Sequence, residues 1–177
     1  TQIVKEFPKY NFIYDSSILN IPENKVQDIT QIAVNNLKTK GYHILESTVP
    51  PHICDNILKE MNNHIFTSSF GKHKIKGMDF KNVESNTYHI TNQQYIAEIP
   101  EIQNLLTESI ILNVVQEYLG CCPVNTQTNC WWSVPNNKPV SKSNSKIILN
   151  KKKSAAQMFH QDFDHPKFVK LFLYLND

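Results

Sequence analysis

Apolar residues in this chain recur about every 3.6 positions up to residue 120 and about every second position beyond it, and this change of period limits the fold more than any other feature. The longer period buries one stripe of a helix, and the shorter one buries one face of a strand. Helices first and strands afterwards predict an α+β layout, with N-terminal helices packed on a β-barrel or jelly-roll core.

The segments follow in order. ENKVQDITQIAVNNLKTK, residues 23–40, places Val26, Ile29, Ile32, Ala33 and Leu37 at helical spacing, with Gly41 as the C-cap. GYHILE, 41–46, predicts a short strand, and VPPHICDNILKEMNNHI, 49–65, predicts a helix with Ile53, Ile57, Leu58, Met61 and Ile65 inward. Residues 66–98 are polar and weakly periodic, and PEIQNLLTESIILNVVQEYLG, 100–120, predicts a third helix ending on Gly120.

In PVNTQTNCWWSV, 123–134, Val124, Thr126, Thr128, Cys130, Trp132 and Val134 share one face, while Asn125, Gln127, Asn129, Trp131 and Ser133 share the other. One apolar and one amide-lined face suits a barrel wall beside a polar cavity, and equally an ordinary half-exposed strand. Trp131 and Trp132 read as core or wall packing rather than substrate contacts. Residues 135–153, rich in Pro, Asn, Ser and Lys, read as a mobile insertion loop. Strands are expected again over Ala155–Phe163 and Phe168–Leu175, with a turn at Asp164, His165 and Pro166.

Bulk properties narrow the function classes. A chain of 177 residues fits a single domain, 1–177, with a core that needs no zinc or disulfide scaffold. Its net charge of +2 implies no nucleic-acid partner, and all 18 basic residues are lysine, so the arginine fork that commonly clamps carboxylates is missing. The lysines at 72, 74 and 76 and at 151–153 read as solvated loop residues rather than a phosphate site. Cys54, Cys121, Cys122 and Cys130 lack paired CxxC spacing and read as reduced, mostly buried thiols of a cytoplasmic protein. No apolar run approaches the roughly 18 residues of a membrane span, so no membrane partner is expected.

The chemistry concentrates in MFHQDFDHPKF, residues 158–168. On a strand, positions i and i+2 point to one face, so His160 and Asp162 can lean onto one ion. An imidazole and a carboxylate suit Fe(II), Mn(II) or Zn(II), and two histidines plus one carboxylate on one octahedral face form the non-haem iron oxygenase site. The motif is short: 7 His and 7 Asp in 177 residues give roughly 0.3 such matches by chance. Its context adds weight, because a polar pair followed by the apolar run KFVKLFLYLND is costly unless something satisfies the polar groups.

AAQMFHQDFDHPKFVKLFLYLND resembles the iron-binding segment of the phytanoyl-CoA dioxygenase-like family of Fe(II)/2-oxoglutarate-dependent oxygenases. GYHILESTVPPHICDNILKEM resembles that family's first strand and following helix, and CWWSVP precedes the HxD segment as expected. The resemblance covers about residues 41–177 and implies a double-stranded β-helix, a jelly-roll core of the cupin kind that is incomplete in this chain. It implies His160 and Asp162 as metal ligands, with Fe(II), 2-oxoglutarate and O2 as cofactor and cosubstrates. Halogenating relatives carry a small residue in place of the carboxylate, so Asp162 favours hydroxylation of an aliphatic carbon in a small organic substrate.

The resemblance also aligns Phe172 with an aromatic that borders 2-oxoglutarate, and sets Asn129 and Gln161 near other contact positions. Lys170, on the parity of His160 and Asp162 together with Phe172 and Tyr174, either supplies a substitute positive charge or packs its stem while its amine reaches solvent. Asp164 reads as a turn residue and His165 as an exposed neighbour. The family's third ligand, a later histidine, and the arginine after it have no counterpart here, so this chain is expected to be the N-terminal part of a longer domain. Two alternatives stand beside the oxygenase: a catalytically silent binding module on the same fold, and a cupin-type metalloenzyme that does not use 2-oxoglutarate.

Overall fold

The computed structural model describes residues 9–12, 18–46, 49–68, 74–77, 88–90, 93–133, 162 and 166–175. These residues form five helices and a small antiparallel sheet, an α+β combination. The chain divides into two compact units: Thr1–Ile57 with Ile99–Thr126 and His165–Asp177, and Leu58–Glu98 with Gln127–Asp164. Among the described residues no helix is long and apolar enough to cross a membrane.

The first unit is helical. Helix α1, Glu23–Lys40, begins with an acidic residue, ends with Lys38 and Lys40, and stops at Gly41, whose φ of 82° is the left-handed conformation that glycine adopts freely. Thr30, Ala33 and Val34 are its buried residues, with Val26, Ile29 and Leu37 half-buried. Ile32, expected inward, is exposed: at 100° per residue it lies more than a third of a turn from the line through Val26, Thr30, Ala33 and Leu37. Helix α1 packs against a later helix, Ser109–Leu119, and Ile18, Leu19, Ile21, Ile57, Ile99, Leu105, Ile110 and Ile111 complete the buried apolar set of this unit among the described residues.

Helix α2, Pro51–Asn62, is three residues shorter at its C-terminal end than expected. Ile57 and Met61, one turn apart, are fully buried, whereas Ile65 lies beyond the helix in a strand and is exposed. The segment expected as a strand at 41–46 is irregular, with Tyr42 and Ile44 exposed. Alternating composition is not enough there, because no strand among the described residues supplies the ladder hydrogen bonds.

The second unit carries the sheet. Strands β1 (Ile65–Ser68), β2 (Lys74–Lys76), β3 (Tyr88–Ile90) and β4 (Trp131–Ser133) are ordered β2-β1-β3-β4, every pair antiparallel. The register sets Phe66 opposite Ile75, Thr67 opposite Ile90 and His89 opposite Trp132. Phe66 and Trp132 are both buried, their ring centroids 6.0 Å apart and tilted by 55°. Trp131, on the other face, is exposed, so the packing role expected for both tryptophans holds for Trp132. At the end of β2 the Gly77 N–H donates to the His64 carbonyl at 3.1 Å with φ at 61°.

Helix α3, Gln93–Glu98, is followed by Ile99 in the extended conformation that a following proline imposes. The long third helix predicted over 100–120 is two helices, α4 (Pro100–Leu106) and α5 (Ser109–Leu119). The Thr107 hydroxyl donates to the carbonyls of Gln103 (3.0 Å) and Asn104 (3.2 Å), and Glu108 turns extended at ψ 122°. The Thr107 hydroxyl competes for the backbone carbonyls, at the point where the chain leaves the helix that the apolar spacing presents as continuous.

Helix α5 gathers the rest of the first unit. The Gln116 side chain accepts from the Tyr10 N–H at 2.8 Å and donates to the Tyr10 carbonyl at 2.9 Å, while Lys9 pairs with Glu117 at 2.9 Å. At its C-terminal end the Lys167 ammonium donates to the carbonyls of Tyr118 and Leu119 and lies 4.8 Å from the centre of the Tyr118 ring.

Candidate metal centre

The residues singled out by sequence fall in different places. His160 and Gln161 lie outside the described residues, as do Asp164, His165, the insertion loop 135–153 and, Asp162 excepted, the expected strand over Ala155–Phe163. Asp162 is described and half-buried, in the second unit with Asn129. Lys170 and Phe172 belong to the first unit.

Asn129 precedes β4 by one residue and is half-buried; its Oδ1 has lost solvent contact and has no hydrogen-bond partner among the described residues. A buried amide oxygen without a donor costs about 1–3 kcal/mol, so such an atom marks either a ligand contact or a local strain. Its neighbour Cys130 sits in apolar surroundings, and burial pushes that thiol up to about 11 from 9.0. Two atoms ahead of β4, the Asn129 amide oxygen and the Cys130 thiol, are thus shielded from solvent, while Trp131 beside them is exposed. Residues 123–130, expected to continue this strand, are irregular, and Val124 and Thr126 are exposed. The alternation of faces therefore persists only over the three residues of β4.

The apolar run after the motif departs from expectation. Residues 168–175 form no strand, and Phe172 and Tyr174 are 54% and 85% exposed, with Leu171 and Lys170 exposed as well. Phe168, Val169, Leu173 and Leu175 are half-buried. The buried strand inferred from hydrophobicity would need a hydrogen-bonding neighbour, and none pairs with this run among the described residues. Lys170 lies with its ammonium 5.5 Å from the centre of the Phe168 ring. Pro166 and Lys167 bend the chain, in line with the corner expected between the two apolar runs.

Two other histidines, His43 and His64, are engaged elsewhere. His43 Nδ1 is 3.1 Å from the Asn36 side-chain amide, and His64 stacks on Tyr95, whose hydroxyl donates to Glu60 at 3.1 Å. Among the described residues no group of three or more His, Cys, Asp or Glu side chains gathers as a metal site. All four cysteines are free and half-buried, so the expectation of reduced thiols stands while full burial does not. Sequence reasoning missed the buried pair Glu108 and Ser109 and the bridging role of Gln116, because each occupies a position where polarity predicts exposure.

Comparison of the chain with protein-family models, with curated proteins and with solved structures returned no match in any of the three. The donor chemistry at 160 and 162 still fits a divalent first-row metal. A neutral imidazole and a carboxylate are the ligand types that Fe(II) accepts, and Asp162 is half-buried.

Proposed function

We propose that this chain is part of an Fe(II)/2-oxoglutarate-dependent dioxygenase that hydroxylates an aliphatic carbon of a small organic substrate, on a double-stranded β-helix of the phytanoyl-CoA dioxygenase-like kind. The observation that carries the reading is the sequence His160-Gln161-Asp162 followed by a corner and the run KFVKLFLYLND. The half-burial of Asp162 and the solvent-shielded Asn129 amide oxygen support it.

In this reading His160 and Asp162 hold two positions of a facial triad, and bound iron supplies O2 activation coupled to decarboxylation of 2-oxoglutarate. The chain's own residues bind and orient. Asn129 Oδ1, shielded from solvent in the same unit as Asp162, accepts a hydrogen bond from a bound molecule or its water. Small-molecule chemistry in the cytoplasm, without a nucleic-acid or membrane partner, completes the proposal.

Anaerobic addition of Fe(II) and then 2-oxoglutarate tests it, read by the visible absorption of the metal–ketoacid chelate and by metal stoichiometry. The complete oxygenase domain containing this chain is expected to develop the band, and His160→Ala and Asp162→Ala in it are each expected to lose it with at least a tenfold drop in metal affinity. Equal metal binding by wild type and Asp162→Ala would overturn the ligand assignment. Metal binding without any response to 2-oxoglutarate would favour a cupin-type enzyme of different chemistry.

A further inference from the structure

Cys121 and Cys122 stand outside the proposed iron site, and they are adjacent in sequence. Both cysteines are free and neither is fully buried. The backbone that joins them is held in neither a helix nor a ladder, since residues 121–130 are irregular and Gly120, at φ 82°, has already turned the chain away from α5. The Cys122 thiol lies 3.6 Å from the Pro123 carbonyl, a weak contact that leaves it exchangeable. Cys130 differs: burial pushes its thiol to about 11 and takes it out of thiol chemistry near neutral pH.

We propose that Cys121 and Cys122 form a vicinal dithiol that closes reversibly to an intraresidue-pair disulfide when a low-molecular-weight disulfide of the glutathione type accumulates. One cysteine thiolate attacks a sulfur of the small disulfide and expels one small thiolate, leaving a mixed disulfide on the protein. The neighbouring thiolate then attacks the protein-side sulfur and expels the second small thiolate. Both cysteines are oxidised, the small disulfide is reduced to two thiols, and the two cysteine protons end on those leaving groups.

Geometry makes this a switch and not a staple. Cα atoms joined by a trans peptide are about 3.8 Å apart, whereas unstrained disulfides span about 4.4–6.8 Å. The closed form is therefore strained and easily reduced, the property of labile regulatory disulfides. Its strain falls directly after α5, the helix to which Tyr10, Lys9 and Lys167 are all tied.

Incubation of the native chain with glutathione disulfide, alkylation of residual thiols, and intact-mass and peptide mapping test the proposal. Wild type is expected to lose two hydrogens, with the bond mapped within the peptide carrying both residues and fully reversed by dithiothreitol. Cys121→Ser and Cys122→Ser are each expected to stop at a glutathione adduct. Phenylarsine oxide is expected to bind wild type one-to-one and to lose that binding in either serine variant. A persistent adduct on wild type, a bond to Cys54 or Cys130, or arsenical binding retained in both variants would overturn the assignment.

Discussion

Gly77→Ala offers a measurement whose size can be worked from the coordinates, with Gly41→Ala as its internal control. Both glycines have positive φ, 61° and 82°, so an alanine at either adopts a left-handed backbone at about 1 kcal/mol. Their surroundings differ. A Cβ on Gly41 would meet nothing within 4 Å, but one on Gly77 would lie 2.7 Å from the Asn62 carbonyl oxygen and 3.2 Å from the Asn62 Cα. These are backbone atoms at the end of α2 and cannot swing aside as a long side chain could. Ordinary contact is about 0.5–1 Å longer, so either Asn62 shifts or Gly77 retreats from its 3.1 Å hydrogen bond to His64. Losing that bond adds about 1 kcal/mol, and residual overlap about another.

Gly77→Ala is therefore expected to cost about 2–4 kcal/mol against about 1 kcal/mol for Gly41→Ala. Urea unfolding would be followed by far-UV circular dichroism for the helices and by fluorescence of Trp131 and Trp132, the two tryptophans of the chain, both in β4. With an unchanged slope of about 1–3 kcal/mol per molar, the midpoint should fall by roughly 1 M or more for Gly77→Ala and by less than half that shift for Gly41→Ala. Equal losses at the two sites would refute the argument that the Asn62 backbone, and not the dihedral angle alone, demands glycine at 77.

Three further outcomes are expected. The Cys130 thiol ionises near 9.0 when unfolded but only at about 11 when folded. Between those values only the unfolded state releases the proton, so stability should fall as pH rises from about 9 to 11, by up to about 2–3 kcal/mol. Urea midpoints across that range should fall less steeply for Cys130→Ala, and an identical slope in both proteins would sink the assignment. Ser109 is 2% exposed and its hydroxyl has no partner among the described residues; Ser109→Ala should therefore raise stability by about 1 kcal/mol, and a loss of that size would mean the hydroxyl is bonded. Lys167→Met keeps an apolar stem but removes the ammonium from the end of α5, at an expected cost of about 1 kcal/mol in thermal or urea unfolding that high salt should shrink; a neutral result refutes the capping role.

Long periodic segments were legible in the sequence because their signal is local. The boundaries of α1 coincide with the amphipathic run and its Gly41 stop, since both are set by residues within the helix. The break between α4 and α5 was hidden because Thr107 and Ser109 interrupt neither the apolar spacing nor the length of the run. Strands of three or four residues, such as β2 and β3, are too short to display a period, so the region 66–98 looked featureless although it supplies most of the sheet. At 168–175 the reverse happened: strand-like composition is a property of those residues, but pairing is a property of whatever lies beside them. The candidate ligands follow the same logic. HxD spacing is visible in the sequence, whereas the shelter of Asp162 and the orphaned oxygen of Asn129 are products of folding.

The Gln116 amide has a consequence for how the start of the chain can change. It meets Tyr10 only through that residue's N–H and C=O, in the way one β-strand meets another. This attachment is indifferent to which side chain stands at position 10, provided that it is not proline, which has no N–H to offer. Substitutions can therefore accumulate at that position while its anchorage persists, whereas a single change at Gln116 removes both bonds at once. The information that fixes the segment is stored about a hundred residues away from it, in the helix.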